Sequence, residues 1–421
     1  MTLKKIKAGA LQSTLFISVV IAILLTVFIL LIQLHKRFDI QTKFIQETVE
    51  NGNYGINYTL HNHVQLQDSL SVILNEEAYK SLKIYRDYWG VFEKVTSVSK
   101  IKANRIEKVA FIGGAQPLTN RLALYLEDNN KPLVLVGNTK IAGVAYLPEQ
   151  GVKSGNIAGH SYYGTDLIYG QERTSQMLPK LLSELYSSME NVNLENNKQF
   201  IDLNKDRNIS NSFLSPVKTI FSPNSIHLSQ IKLTGHIQVV SETKIIVEAS
   251  SHLTDVVLIA PEIEIQNGVH GIFQSLATKK ITVGENCKLS YPSALIIKNK
   301  KILYSPEIES QNSHSDMRIG ENSVIKGLVI YYGESIDNNY KAQLIIEEDA
   351  VVQGQVYCNL NLELKGTVQG SVFASHFIAN RAGSIYQNHI YNGHILIDDL
   401  PKQYVGLTFD DSRKRVMKWL Y

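Results

Sequence analysis

The side chains able to do chemistry are spread along this chain rather than gathered into one motif. Asp255, Glu262, Glu264, Asp316, Asp337 and Asp349 occupy separate short segments, and no spacing pairs any two of them as glycoside cleavage requires. Acids in such turn-rich settings read first as solvated surface. His61-x-His63 places two imidazoles on one face of a strand, the beginning of a metal site, but no third ligand follows at an indicative spacing. His389 and His394 belong to the polar-aromatic run Tyr386–His394, which reads as a coil rim and, in a sharper version, as a contact for sugars or a partner. Lys153, His160 and Asp166 lie in the Gly- and Tyr-rich stretch Gly151–Gly170, whose composition suits a binding loop and suits a tightly turning coil better. There is no GxSxG, no Walker phosphate loop and no GxGxxG after a strand. No residue set calls for a cofactor or a metal, so an enzyme stays open without positive support.

The background is uninformative about charge-driven partners. The net charge is +3 with 19% charged residues, so no long-range field selects nucleic acid. Ile, Leu, Val and Phe are plentiful throughout, which opposes disorder. The two cysteines, Cys287 and Cys358, are too few for a disulfide framework and read as buried small apolar residues.

The strongest signal sits near the N-terminus, where Ala8 to Leu34 holds no charge. Its core is Leu15, Phe16, Ile17, Val19, Val20, Ile21, Ile23, Leu24, Leu25, Val27, Phe28, Ile29, Leu30, Leu31 and Ile32, interrupted by Ser18, Ala22 and Thr26. A run of about 20 apolar residues matches the hydrocarbon thickness of a bilayer, and this one is apolar on all sides. A signal peptide has a shorter apolar core of about 7 to 15 residues and a small-x-small cleavage site. This run ends instead in Gln33-Leu34-His35-Lys36-Arg37. Lys4, Lys5 and Lys7 before it slightly outweigh Lys36 and Arg37 after it, which favours a cytoplasmic N-terminus and an extracytoplasmic body.

The elements beyond the anchor are mostly strands. Residues 1–36 read as leader and transmembrane helix, and 37–55 as an amphipathic stalk carrying Ile40, Phe44, Ile45 and Val49 and stopped by Asn51-Gly52-Asn53. Residues 56–130 form a small antiparallel β domain, with strands at Leu82–Tyr85, Gly90–Val98, Arg105–Ile112 and Leu122–Leu126. Residues 131–171 give the first coils of a β-helix, 172–225 a partly helical insertion projecting from it, 226–400 its main body, and 401–421 a C-terminal cap.

The main body rests on a repeat. Ile281-Thr282-Val283-Gly284-Glu285-Asn286-Cys287 nearly recurs as Arg318–Val324 and again as Leu344–Gly354. The unit is apolar-x-apolar, a polar turn, then apolar-x-Gly-x-apolar. Coils of roughly 20 residues stacked like on like explain it better than hairpins or a sandwich. In the cap, Asp410-Asp411-Ser412 signals an N-cap before a short helix over Arg413–Leu420. The fold class is therefore mainly β: a single N-terminal transmembrane helix with stalk, a small antiparallel region, and a parallel β-helix with a helical insertion and a C-terminal cap.

Two stretches resemble known families. Lys7-Ala8-Gly9-Ala10-Leu11, followed at once by the apolar helix, resembles the start of minor pilins and pseudopilins that lack the usual fifth-position Glu. That resemblance implies cleavage after Gly9, with Thr14 where the Glu would stand. The Ile-x-x-Gly-Glu-Asn and Val-x-Gly-x-Val units between Ile281 and Ile378 resemble bactofilins, polymer-forming β-helical scaffolds. Together these imply a non-catalytic, membrane-anchored structural or assembly protein of the envelope, with protein partners or self-assembly. The alternatives are a surface carbohydrate-binding or polysaccharide-degrading β-helix and a bactofilin-like scaffold on the cytoplasmic face.

Overall fold

The structure, a computed structural model, describes residues 9–74, 79–190, 206–299, 316–334, 339–409 and 412–420. It opens with α1, Gly9–His61, an unbroken helix of 53 residues. Strands β1 Ser69–Val72, β2 Lys80–Trp89, β3 Phe92–Ile101 and β4 Asn104–Ala115 follow, each antiparallel to the next. Successive side chains of a strand point to opposite faces, and β4 shows the result. Ala110 and Ile112 pack toward α1, whereas Val109 and Phe111 pack toward the β-helix. The sheet is thus the middle layer of the molecule.

The sheet is completed from the far end of the chain. Val405–Gly406 and Lys414–Leu420 return to pair antiparallel with β4. This corrects the expected cap helix at Arg413–Leu420, which is a strand. Val416 lies against the α1-side cluster while Met417 and Leu420 lie against the β-helix side, a two-faced burial that one helical stripe does not provide. Asp410 and Asp411 of the expected N-cap fall outside the described residues.

The rest is a parallel β-helix. One inward column runs Ile226, Ile245, Ile263, Ile281, Met317, Leu344, Leu362, Phe377, each residue in register with the next. All eight are buried. At equivalent corners of the repeat, Asn286, Asn322 and Asp349 have φ of 57°, 56° and 59°. Asn and Asp tolerate that left-handed geometry best among residues with a side chain. Beside them Gly327, Gly354 and Gly370 stack in register. A Cβ on Gly354 would sit 1.9 Å from the Gly327 carbonyl oxygen, and one on Gly370 would sit 1.7 Å from that of Gly354. The Val-x-Gly-x-Val spacing therefore records a corner where successive coils touch backbone to backbone.

Coil order along the stack is not chain order. Leu122–Leu126 stacks on Val372–Ala374, and Lys140–Ala142 on His394–Leu396. Val144–Leu147 then pairs with Leu122–Tyr125, and Glu172–Thr174 closes that end on Val144–Leu147. Coils expected to precede residue 226 thus lie beyond residue 396. Leu122–Leu126 is a strand as expected, but of the β-helix and not of the antiparallel sheet. The chain must then travel back to begin the opposite end at Asn208–Asn211. Part of that return is α2, Ser183–Glu190. It does not project as expected. Leu178, Leu181, Leu185 and Met189 bury against Ile296, Ile330, Tyr357 and Phe373 on the flank, and the Lys298 amine donates to the Tyr186 carbonyl at 3.1 Å. The segment is a strap, because its apolar spacing faces a flat apolar wall.

Candidate functional site

The feature best suited to a function is α1, which meets two environments along its length. From Leu15 to Ile32 every large apolar side chain is exposed, and the best 18-residue window reaches a mean hydropathy of 3.3 with none of it buried. Its polar side chains are satisfied within the helix. Thr14 donates to the carbonyls of Ala10 and Leu11, Ser18 to Leu15 and Thr26 to Ala22, at 2.8–3.1 Å. A helix with every polar group bonded internally is what hydrocarbon tolerates. Among the described residues, α1 is the helix long and apolar enough to cross a membrane. Gly9, where the described helix begins, is exposed, with nothing within 4 Å of a hypothetical Cβ.

The second half of α1 is seated on the sheet. Thr48, Gly52, Gly55, Ile56 and Thr59 are buried, a stripe at helical spacing. A Cβ on Gly55 would stand 2.1 Å from the Ser97 oxygen of β3, so glycine sets how closely helix and sheet approach. Gly52 faces the Lys108 side chain, whose amine donates to Asn53, and Lys80 pairs with Glu47. The expected stop at Asn51-Gly52-Asn53 is corrected accordingly. The glycines mark a contact face, and the helix runs on to His61.

Sheet and β-helix meet along a polar seam. The Gln274 side-chain amide donates to the Trp89 carbonyl at 2.8 Å and accepts from the Val91 amide at 2.9 Å, clamping the β2–β3 turn. Gln355 accepts from the Leu407 amide at 2.6 Å in the same way. Asp255 takes the Lys418 amine at 2.6 Å, while its carbonyl accepts from the Trp89 indole at 2.9 Å. Within the sheet Arg86 and Glu93 are both buried and paired. Arg86 also reaches the Val64 carbonyl at 2.9 Å and Glu184 of the strap, and Lys414 of the last strand lies 2.8 Å from Glu93. The Arg86 guanidinium holds the Glu184 carboxyl below its usual range. One network, buried at Arg86 and Glu93, thus joins the segment that follows α1, the sheet, the strap and the last strand.

Beside the seam is a cavity of about 260 Å³ lined in part by Asp87, Lys94, Ser187 and His236. His236 stacks on Phe213 with ring centroids 4.9 Å apart, meets Trp89 edge-on at 4.6 Å, and its Nδ1 is 2.8 Å from the Ser215 carbonyl. Burial, aided by Lys94, pushes its pKa down to about 4. It is a neutral core histidine at ordinary pH.

The residues nominated from sequence do not converge. His61 ends α1 with Nδ1 3.1 Å from the Asn57 carbonyl, and His63 lies past the helix, so the two do not share a strand. Glu264 pairs with Lys244, Asp316 accepts from the Tyr331 hydroxyl at 2.6 Å, and Asp349 is a corner. Glu262 sits in register with Lys244 and Lys280, and Asp337 lies outside the described residues. His389 and His394 are half-buried coil residues whose pKa burial pushes down. Lys153, His160 and Asp166 fall in separate segments of the end coil, Lys153 on a strand and His160 on a two-stranded hairpin. Cys287 and Cys358 are free and buried. Among the described residues no three His, Cys, Asp or Glu side chains group as a metal site.

Sequence reasoning missed two acids, Glu347 and Glu363, which share Lys365 at 2.9 and 3.8 Å, with Arg318 2.9 Å from Glu347. Their charge is already met, and none of the described cavities is lined by them. A row of rings does occur, Phe373, Tyr125 and Tyr146. Tyr125 stacks on Tyr146 at 5.2 Å and on Phe373 at 6.5 Å, and Arg173 covers Tyr146. Those ring faces are spent on each other rather than offered to a sugar.

The geometry defines a mainly β protein with one apolar N-terminal helix, an antiparallel sheet under that helix, and a parallel β-helix. No family model matches the chain, and no curated protein does. Among solved structures it is similar to the competence-associated pilin ComZ from Thermus thermophilus, at 9% identity and a TM-score of 0.21, over 90% of this chain and 96% of that one.

Proposed function

We propose that this chain is a non-catalytic, membrane-anchored assembly protein of the cell envelope, a minor pilin-like component of a pilus or secretion apparatus. The observation that carries the reading is α1. One continuous helix leaves its apolar first half bare and seats its second half on an antiparallel sheet through Gly52 and Gly55. A simple tether needs no such rigid coupling between membrane span and body. With the N-terminus in the cytoplasm, the β-helix is held outside, at the end of a helical stalk, where its flanks and ends face protein partners. In this reading the chain is cut after Gly9 and Thr14 occupies the fifth position of the mature helix.

The test is the mass of the N-terminal peptide from membranes of the native host, combined with protease digestion of intact cells and spheroplasts. A mature terminus at Ala10 and a body digested from outside are expected. An intact Met1 with a body protected from outside would replace this reading with a cytoplasmic-face scaffold.

A further inference from the structure

Among the described residues, Arg121 is a buried cation with no carboxylate in salt-bridge contact; the exposed Asp398 carboxylate favours its charge only from longer range. Arg121 is 8% exposed and lies between the antiparallel sheet and the first strand that joins the β-helix. Its Nη1 donates to the Leu400 carbonyl at 2.6 Å and its Nη2 to the Pro401 carbonyl at 3.4 Å, both neutral acceptors. Its Nε is buried with no partner. Every other strongly buried basic or acidic side chain at the seam, Arg86 with Glu93 for example, meets an opposite charge. A buried charge with no counter-charge in contact is costly, and proteins retain it where something else completes the balance.

Arg121 forms part of the wall of an open cleft of about 430 Å³. The same cleft is lined by Lys402 and Asp398, both exposed, so with Arg121 its net charge is +1. Gly143 and Gly170 also line it, packed on each other so closely that a Cβ on Gly170 would sit 2.0 Å from the Gly143 carbonyl oxygen. Asn120 and Gln171 contribute amide side chains. No aromatic residue lines the cleft, so it offers no ring face for a sugar.

We propose that this cleft is a binding site for a peptide carboxylate, an acidic side chain or chain terminus presented by a protein partner. One carboxylate matches the unbalanced charge, and a guanidinium binds it through charge-assisted hydrogen bonds. Glycine backbone and amide side chains suit the peptide on either side. A phosphate dianion would overshoot the net charge of the cleft. The site is independent of the pilin-like reading, which makes no use of Arg121.

The test titrates full-length protein in detergent, with arginine side chains labelled by nitrogen-15, with acetyl-Gly-Gly-Glu-Gly-Gly-amide. The parallel probes are the same peptide with Gln for Glu, inorganic phosphate, and glucuronate. The Glu peptide is expected to shift the Arg121 Nε signal saturably and to bind at least about tenfold tighter than the Gln peptide, the scale of a charge-assisted hydrogen bond. Arg121→Gln, followed through the peptide's own proton signals, should abolish binding. Because Arg121 also holds two carbonyls and that variant could fail to fold, the exposed Lys402→Gln is the second arm, with at least about threefold weaker binding expected. Equal binding of Glu and Gln peptides, no response at 10 mM (about 2.7 kcal/mol of affinity), or an unchanged Lys402→Gln titration overturns the proposal. So does binding of phosphate or glucuronate as tight as that of the Glu peptide.

Discussion

In the antiparallel sheet, β2, β3 and β4 are joined by turns at Gly90-Val91 and Lys102-Ala103, so neighbours in space are neighbours in the chain. In the β-helix the same holds from Lys232 to Leu396, but the end coils break it: Leu124 lies on Val372 and Ile141 on Ile395. The sheet in turn borrows its last strand from Lys414–Leu420. Each body is therefore closed by a segment from outside its own run of sequence. Local order makes the two recognisable, and the two exchanges lock them together.

The sharpest way to break the β-helix is at its backbone contact. Gly354→Val puts a branched side chain where even a Cβ lies 1.9 Å from a carbonyl. A loss of at least about 4 kcal/mol is expected, beyond ordinary point mutants, read as failure to melt cooperatively. The counterpart in the sheet is Arg86→Met, which leaves Glu93 buried with Lys414 alone. Breaking a buried pair of this kind costs about 3 to 5 kcal/mol. Hydrogen exchange should rise in β3 and in Lys414–Leu420 while amides of Leu344–Leu364 stay protected. If both regions loosen equally, sheet and β-helix form one cooperative unit rather than two joined ones.

The seam between them should respond to pH. His236 is held at about 4 against 6.5 for the free side chain, so between those values the unfolded chain binds a proton that the folded one refuses. Its stability contribution is intact above pH 6.5 and is lost as pH falls, by about 2 kcal/mol at pH 5. In urea titrations at pH 7 and pH 5, His236→Gln should lack that decrement. At the small end, Lys244→Ala removes a half-exposed bridge to Glu264 and should change stability by less than about 1 kcal/mol. A larger effect there would show that charge ladders, and not only the inward apolar columns, hold the coils in register.

Sequence pattern revealed what repeats or is extreme. The apolar run of α1 is legible because hydrocarbon demands length without charge, and the coils because Asn286, Asn322 and Asp349 must each turn the same corner. The reversal of coil order was not legible, since Leu122–Leu126 carries the same strand signal whichever edge it joins. Nor was the last strand: Asp-Asp-Ser before Arg413–Leu420 follows helix-start rules, and pairing with β4 overrode them. Gly52 read as a helix breaker because its contact with the sheet is tertiary. Arg86, Gln274 and Arg121 escaped notice for the same reason, as their partners are distant in sequence.

The reversed order of the end coils has a consequence for synthesis. Leu122 and the Ser371 side chain that bonds its carbonyl are 249 residues apart. A ribosome adds about 5 to 20 residues each second, so the end coils emerge many seconds before the surface they rest on exists. Throughout that interval their apolar columns have no platform, and the apolar helix α1 has already left the tunnel. The expected order of folding is a late closure, in which the waiting end coils settle onto a finished stack as the final strand completes the sheet.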